Sequence, residues 1–518
     1  MQTTQVLRRA LQVDADAEAT VMGSRRRNYR QLYDRVSRLA GALRALGIDK
    51  GDRVAILALN SDRYMEYFFA VWWAGAVVVP LNTRWATPEH HYALEDSGTK
   101  ALFYDQAFSA SLPELASALP ENAPLVCVDD GPMADGVLGH DDLIAAHQAI
   151  ADAGCKDDDL AGIFYTGGTT GRSKGVMLSH RNLLFNGLNS EASIGYGRAP
   201  RYLHAAPMFH MADLLNILAV TVKAGQHSFI ASFDPAETLN VMTTEKVTLT
   251  LLVPTMINMV VNHKDADTAA DLTCRVIYGA SPMPEAVLRA SIAKFPKWEF
   301  IQAYGMTELS PLATTLAWHE HVLEGPRAVQ LKSCGRAVLG CELSILGADN
   351  QPLPSGEIGQ IAVRGDNVMQ GYWNRPETTK EVLYDGWMLT GDAAYMDENG
   401  YVYIVDRVKD MIISGGENIY SAEVEQAVYS HPAVLECAVI GVPDDKWGER
   451  VHAIIRLRDG STADEAEILA HCRTQIGGYK CPRSASFTDQ PLPLSGAGKI
   501  LKTELRKPFW EGTSRNVG

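Results

Sequence analysis

At 518 residues the chain is too long for one compact core and has the size of roughly two to four domains or subdomains. Apolar residues make up 46% and charged residues 21%, which is the composition of a folded soluble chain and excludes a disordered one. The formal net charge of −15 argues against a sequence-independent grip on nucleic acid or on an anionic membrane, so a small anionic ligand needs a local positive site.

The start, MQTTQVLRRALQVDADAEAT, has no apolar core of signal-peptide length. Asn28 is placed to cap a helix over 30–46, with Leu32, Val36, Leu39 and Leu43 on one face and Gly47 as its terminator. A strand over 54–59, a helix over 62–74 and a strand over 77–80 follow. The apolar run YFFAVWWAGAVVV is shorter than the ~20 residues that span a bilayer and stops at Pro80, so it reads as a buried helix passing into a buried strand. Further short apolar strands at 101–104, 124–128, 162–165, 247–253 and 275–278 alternate with helices, the pattern of a mostly parallel sheet covered on both faces. From 338 to 405 the texture turns to strands and turns, including 358–364 and 401–405. A smaller unit then opens at Asp406, with strands at 438–442 and 451–456 and a helix over 463–475. The eight cysteines, at 127, 155, 274, 334, 341, 437, 472 and 481, show no zinc or redox spacing and read as reduced thiols of a cytoplasmic protein.

Three loops after buried strands are unusually polar, and such loops are where ligands bind in α/β folds. The first is YTGGTTGRSKGV over 165–176. Its glycines let backbone N–H groups approach an anion, and its threonines and Lys174 add donors and charge. It is not a Walker A loop, because Arg172 and Ser173 separate Gly171 from Lys174. Seen alone it reads equally as a surface turn. The second loop, Tyr278-Gly279-Ala280-Ser281-Pro282-Met283, offers backbone on which a flat ring can rest. The third, Gln302-Ala303-Tyr304-Gly305-Met306-Thr307-Glu308, supplies an aromatic ring, a hydroxyl and a carboxylate; beside a phosphate loop Glu308 becomes a candidate Mg²⁺ ligand. Further on stand Leu389-Thr390-Gly391-Asp392, then Arg407, Lys409, Ser414-Gly415-Gly416, and Lys499 on a glycine-flanked loop.

YTGGTTGRSKGV, YGMTE, TGD, DRVKDMIISGGENI and GKILKTELR stand in the order found in the ANL superfamily of adenylate-forming enzymes, and the chain resembles that family from about residue 28 to 507. Among the branches it looks most like bacterial fatty-acid and aryl-acid CoA ligases. The resemblance implies an α/β fold: a large N-terminal ATP- and acyl-binding body over 1–405 with a β-rich subdomain, a hinge over 406–410, and a small mobile α+β C-terminal domain over 411–518. It implies that Thr166, Gly167, Gly168, Thr169, Thr170 and Lys174 hold the β- and γ-phosphates of ATP. Gly279, Ala280, Ser281 and Tyr304 would form the adenine site, Thr307 and Glu308 the α-phosphate and Mg²⁺ contacts, and Asp392 and Arg407 the ribose contacts. By the same resemblance Lys499 bridges the substrate carboxylate and α-phosphate, Lys409 is the pivot, and Gly415 and Gly416 hug pantetheine. His210 closes over the carboxylate pocket. Ser173 stands where the family usually has proline, which removes a φ restraint from the loop.

Activity of this kind needs ATP, Mg²⁺ and coenzyme A. The acid pocket would be lined by His210, Met211, Leu214, Ile277 and Met306 with no cation nearby, which suits an apolar acyl or aryl tail. Loading of a carrier-protein phosphopantetheine in place of free CoA is the alternative, and a carrier protein and a homodimer partner both stay open at this point.

Overall fold

The computed structural model describes residues 1–131, 133–166, 173–281, 283–408, 410–415, 417–444, 446–494 and 500–510. The chain divides into two compact units. One comprises Met1–Thr166, Arg172–Leu343 and Val363–Met388; the other comprises Gly167–Gly171, Ser344–Ala362 and Leu389–Gly518. Among the described residues no helix is long and apolar enough to cross a membrane.

The helix predicted from Asn28 runs Tyr29–Ala45. Asn28 Oδ1 accepts the Gln31 N–H at 2.9 Å while the Asn28 N–H donates to Gln31 Oε1 at 3.0 Å, a reciprocal cap that stabilises the helix start by about 1 kcal/mol. Leu32, Val36, Leu39 and Leu43 are fully buried along one face. The strand, helix and strand that follow are Arg53–Leu57, Asp62–Trp73 and Val77–Pro80, and the two strands pair in parallel with Val54 opposite Val78. Every residue of Asp62–Trp73 is buried, which explains why its sequence shows no polar face.

These strands belong to an eight-stranded sheet in the order Gly371–Tyr372, Lys174–Ser179, Leu160–Thr166, Val77–Pro80, Arg53–Leu57, Thr99–Tyr104, Leu125–Cys127, Leu138–Gly139. It is parallel from Leu160–Thr166 onward and antiparallel at its first two junctions. A nine-stranded sheet takes the order Arg336–Ala337, Leu312–Leu316, Trp298–Gly305, Cys274–Gly279, Leu249–Leu251, Arg201–His204, Gln226–Phe229, Glu18–Met22, Arg25–Asn28, parallel except at its two edges.

The strand Gln226–Phe229 escaped the sequence reading because QHSF is polar, yet all four residues are buried. The ring of its His227 is satisfied internally on both nitrogens, while Gln226 Oε1 is buried without a partner among the described residues. His227 Nδ1 lies 3.0 Å from His204 Nε2 and its Nε2 lies 3.0 Å from Thr221 Oγ1, while His204 Nδ1 meets Asp213 Oδ2 at 2.6 Å. Such bonds offset most of the cost of burying these polar rings.

The strand-rich stretch predicted after Val338 is a five-stranded sheet of Glu342–Leu346, Gly359–Arg364, Leu383–Tyr384, Trp387–Met396 and Val402–Arg407. The C-terminal portion carries another five-stranded sheet, Glu417–Ile419, Ile412–Ser414, Gly448–Leu457, Val434–Asp444 and Ser484–Phe487, with helices Ser421–Tyr429 and Glu465–Gln475 on a core that includes Val424, Val439, Val451 and Ile468. The helix predicted from 463 begins at Glu465 because Asp464 accepts the Glu467 N–H at 2.8 Å and so caps it.

Candidate functional site

In the larger unit the strands Leu160–Thr166 and Lys174–Ser179, which flank the glycine-rich stretch in sequence, pair antiparallel with Thr166 opposite Lys174. The stretch is thus flanked by a paired strand on each side, where the sequence suggested only a strand leading into it. The Tyr165 hydroxyl donates to Asp96 Oδ2 at 2.7 Å and pins the first strand. Gly175 admits no β-carbon, since one would stand 2.6 Å from Ile163 Cγ2. Of the phosphate-loop candidates Thr166 and Lys174 are placed, and Ser173 is half-buried just before the second strand; Gly167, Gly168, Thr169 and Thr170 lie outside the described residues.

Gly279 and Tyr304 stand at the ends of neighbouring parallel strands, Cys274–Gly279 and Trp298–Gly305, with Gly279 opposite Ala303. Ala280 takes φ +65°, turning the backbone out of the strand, and it is exposed, while Ser281 is half-buried. Below this turn the Tyr278 hydroxyl meets His321 Nε2 at 2.9 Å, and His321 Nδ1 lies 3.0 Å from the Ala317 carbonyl oxygen. The carbonyl requires a proton on Nδ1, so Nε2 accepts from the phenol. Burial drives the His321 pKa down to about 4, so the ring is neutral at physiological pH.

Glu308 lies in the short turn Thr307–Leu309 and is 6% exposed. The Tyr372 hydroxyl donates to its Oε1 at 2.8 Å, and among the described residues no cation pairs with this carboxylate. The turn is held from outside by two asparagines. Asn186 Nδ2 donates to the carbonyls of Leu309 and Leu312 at 2.7 and 3.3 Å, and Asn367 Nδ2 reaches the same two at 3.2 Å each. Thr307, Met306 and Tyr304 are half-buried beside it.

His210 stands at the N-cap of the helix Met211–Thr221, its ring 4.3 Å from that of Phe209. Asn60 fixes the approach: its Oδ1 accepts the Met208 N–H at 2.8 Å and its Nδ2 donates to the Ala206 carbonyl at 2.9 Å. Of the expected pocket residues Met211 and Ile277 are buried and Leu214 is fully so. Ile277 packs with Leu215, Ile301, Leu312 and Tyr196. A polar group missed by the sequence reading sits in these apolar surroundings, where the Tyr196 hydroxyl donates to Asn216 Oδ1 at 2.6 Å and meets Ser190 Oγ at 2.8 Å.

In the second unit Asp392 and Arg407 face each other across the hairpin Trp387–Met396 and Val402–Arg407, with Arg407 Nε 3.2 Å from Asp392 Oδ1. Asp406 is buried; it accepts the N–H of Ser421 at the start of the helix Ser421–Tyr429 and that of Arg407 at 2.7 Å. Gly415 takes φ +64° and lies so near Trp447 that a β-carbon would come within 2.6 Å of its ring. Lys409, Gly416 and Lys499 lie outside the described residues.

One other cluster of three potential metal ligands, Glu66, His140 and Asp141, has side-chain atoms within 4.8 Å of one another. Arg35 pairs with Glu66 at 2.6 Å and also with Asp141, and Arg63 pairs with Asp141 at 2.5 Å. Arginines already neutralise these carboxylates, and the cluster is an ion-pair network.

Residues 7–373 match the AMP-binding enzyme family and residues 423–499 match the AMP-binding enzyme C-terminal domain. The chain belongs to the AMP-binding enzyme family. Within this ANL superfamily it stands in the acyl-CoA synthetase branch. It is 41% identical over 505 residues to a feruloyl-CoA synthase of Amycolatopsis sp, covering 97% of this chain and 98% of that one. It is 36% identical over 485 residues to the long-chain-fatty-acid–CoA ligase FadD13 of Mycobacterium tuberculosis, covering 93% of each. The solved o-succinylbenzoate CoA synthetase MenE of Bacillus subtilis, in complex with the acyl-adenylate intermediate OSB-AMP, superposes with a TM-score of 0.85 at 29% identity, covering 99% of this chain and 98% of that one.

For a member of the AMP-binding enzyme family, the residues most readily missed in sequence are those that hold the candidate ligands in place. Asn182, Asn186 and Asn189 lie on the helix His180–Ile194 at helical spacing and are all buried. Asn182 Nδ2 donates to the carbonyls of Asp366 and Val368, both at 2.8 Å, and Asn189 Oδ1 accepts the Gly340 N–H at 2.9 Å. The spacing in RNLLFNGLNS was a readable signal, since buried amides at i, i+4 and i+7 need partners off the helix.

Proposed function

We propose that this chain joins a carboxylic acid with an apolar tail, fatty or aryl, to coenzyme A in two steps through an acyl-AMP, releasing pyrophosphate and then AMP. The observation that carries the reading is the buried carboxylate of Glu308, without a cationic partner among the described residues, linked through Tyr372 to Lys174 beside the glycine-rich stretch. Isolated buried carboxylates are costly unless a cation arrives, and the donor set suits a hard divalent ion that is otherwise held by phosphate oxygens.

A carboxylate is a poor electrophile, so its oxygen first attacks the α-phosphorus of ATP and pyrophosphate leaves in line. The protein contributes position and charge neutralisation. Lys174, with Thr166, Gly167, Gly168, Thr169 and Thr170, holds the outgoing phosphates; Gly279, Ala280, Ser281 and Tyr304 hold adenine; Asp392 and Arg407 hold ribose; Thr307 contacts the α-phosphate. Mg²⁺, bound through Glu308, supplies neutralisation of phosphate charge. Lys499 draws the two anions together, and His210 closes the carboxylate pocket over Met211, Leu214, Ile277 and Met306. In the second step the CoA thiol attacks the acyl-adenylate carbonyl past Gly415 and Gly416, after the C-terminal domain turns about Lys409 between a body over 1–405 and a domain over 411–518. The setting is the cytoplasm, where ATP and CoA are available.

The feruloyl-CoA and fatty-acid relatives support an aryl or alkyl acid. The test is pyrophosphate–ATP isotope exchange with a panel of hydroxycinnamic, benzoic and fatty acids, followed by mass measurement of products with CoA or with a phosphopantetheinyl carrier protein. Acid-dependent exchange and a CoA thioester are expected; exchange with no acid sinks the reading, and product on the carrier alone moves the acceptor from CoA to protein. Lys499→Ala should abolish exchange yet keep thioester formation from supplied acyl-AMP, and Lys409→Pro should do the reverse.

A further inference from the structure

The segment Met369–Trp373 ties together two candidate elements that are far apart in sequence. Its Met369 N–H donates to the Glu308 carbonyl at 2.9 Å, and its Trp373 N–H donates to the Gly175 carbonyl at 2.7 Å. Between those ends Gly371 and Tyr372 pair antiparallel with Met177 and Val176 of the strand Lys174–Ser179. Gly371 takes φ +138° and leaves no room for a β-carbon beside Thr379 Cγ2 at 2.8 Å, while Thr379 Oγ1 accepts the Tyr372 N–H at 2.9 Å. The Tyr372 backbone is thus held from both sides.

The side chain uses that rigidity. The Lys174 ammonium lies 4.5 Å from the centroid of the Tyr372 ring, and the Tyr372 hydroxyl donates to Glu308 Oε1 at 2.8 Å. One residue therefore bears a cation on its ring and a carboxylate on its hydroxyl. A phenol donor satisfies part of a buried carboxylate without neutralising it, so the charge stays available to a metal and only its orientation is fixed. A phenol carries a proton to donate and an ionised carboxylate only accepts, so the hydrogen bond runs from Tyr372 to Glu308.

We infer that Tyr372 is a positioning residue for adenylation, fixing the Glu308 carboxylate for Mg²⁺ and seating Lys174 beside it for the same triphosphate. The inference rests on the reading of Glu308 and Lys174 given above.

The two contacts can be separated by calorimetric binding of α,β-methylene-ATP, measured once in Mg²⁺ and once in EDTA. Tyr372→Phe keeps the ring and the backbone bonds and removes only the hydroxyl. The Mg²⁺-dependent gain in affinity should shrink by roughly ten-fold while affinity in EDTA stays at the wild-type value, because a hydrogen bond to a charged group is lost and Lys174 keeps its seat. Tyr372→Leu should lose both. Melting temperatures of the variants are read alongside. An unchanged Mg²⁺ gain in Tyr372→Phe overturns the inference, as does an equal fall in Mg²⁺ and EDTA, which is the mark of simple loosening. Wild-type protein that binds the analogue equally well with and without Mg²⁺ overturns the metal role of Glu308 itself, and this inference with it. Acid-dependent isotope exchange by the wild type tests the wider reading independently, so failure of that reading is distinguishable from failure of the role of Tyr372.

Discussion

Gly279 and Ala303 stand opposite each other on neighbouring parallel strands, so close that a β-carbon on Gly279 would lie 2.1 Å from the Ala303 carbonyl oxygen. That contact is with backbone and cannot be relieved by a side-chain rotation. Gly279→Ala should therefore push the two strand ends apart, at a cost of about 1–3 kcal/mol in unfolding free energy. On the proposed reading these ends carry the adenine contacts, so affinity for AMP should fall with it. Denaturant titration and calorimetry check both, and a variant with wild-type stability would show that the strands yield without strain.

Asn186 is buried and donates to two carbonyls that flank the turn bearing Glu308. Asn186→Ala leaves those carbonyls to the Asn367 amide alone, with an expected loss of about 1 kcal/mol. Asn186→Asp should be worse, since it turns a donor into a carboxylate facing carbonyl oxygens. The ordering Asp below Ala below wild type in melting temperature is the outcome to look for, together with slower isotope exchange in both variants.

His321 gives a pH signature. Burial is the main cause of its lowered pKa of about 4, against an ordinary value of 6.5; the Ala317 carbonyl and Glu320 act in the opposite sense. As pH falls through 6.5 the unfolded chain protonates this ring while the folded chain does not, so stability declines from there down to about pH 4. The contribution at full shift is roughly 3 kcal/mol. His180, also buried, with its pKa lowered to about 4, adds in the same direction. His321→Gln should flatten the stability profile between these pH values, and an unchanged slope in urea titrations across the window would refute the assignment.

Gly415 combines a left-handed φ of +64° with a would-be β-carbon contact of 2.6 Å to Trp447. Gly415→Ala is thus strained twice, by backbone and by ring. It should lower the melting temperature and, on the proposed route for the thiol, slow thioester formation from supplied acyl-AMP while leaving isotope exchange near the wild-type rate. Parallel loss of both half-reactions would place Gly415 in general folding alone.

The sequence by itself determined the elements whose signals are local. The Asn28 cap, the apolar face of Leu32 to Leu43 and the buried runs at Arg53–Leu57 and Val77–Pro80 depend on spacing within one segment, and the α/β alternation follows from them. The ordered polar loops were legible for the same reason, because each keeps its residues within a few positions of one another. Partnership across the fold was decided only by tertiary structure. QHSF became a buried strand because His204 and Thr221 bond the two ring nitrogens of His227, with His204 itself held by Asp213. Tyr372 gained a role because sheet pairing lays it against Val176, next to Lys174, while a separate backbone bond brings Glu308 to the same place. Short-range propensity leaves its mark on neighbours in the chain; hydrogen bonds and charges satisfied across tens or hundreds of residues leave none until the backbone closes around them.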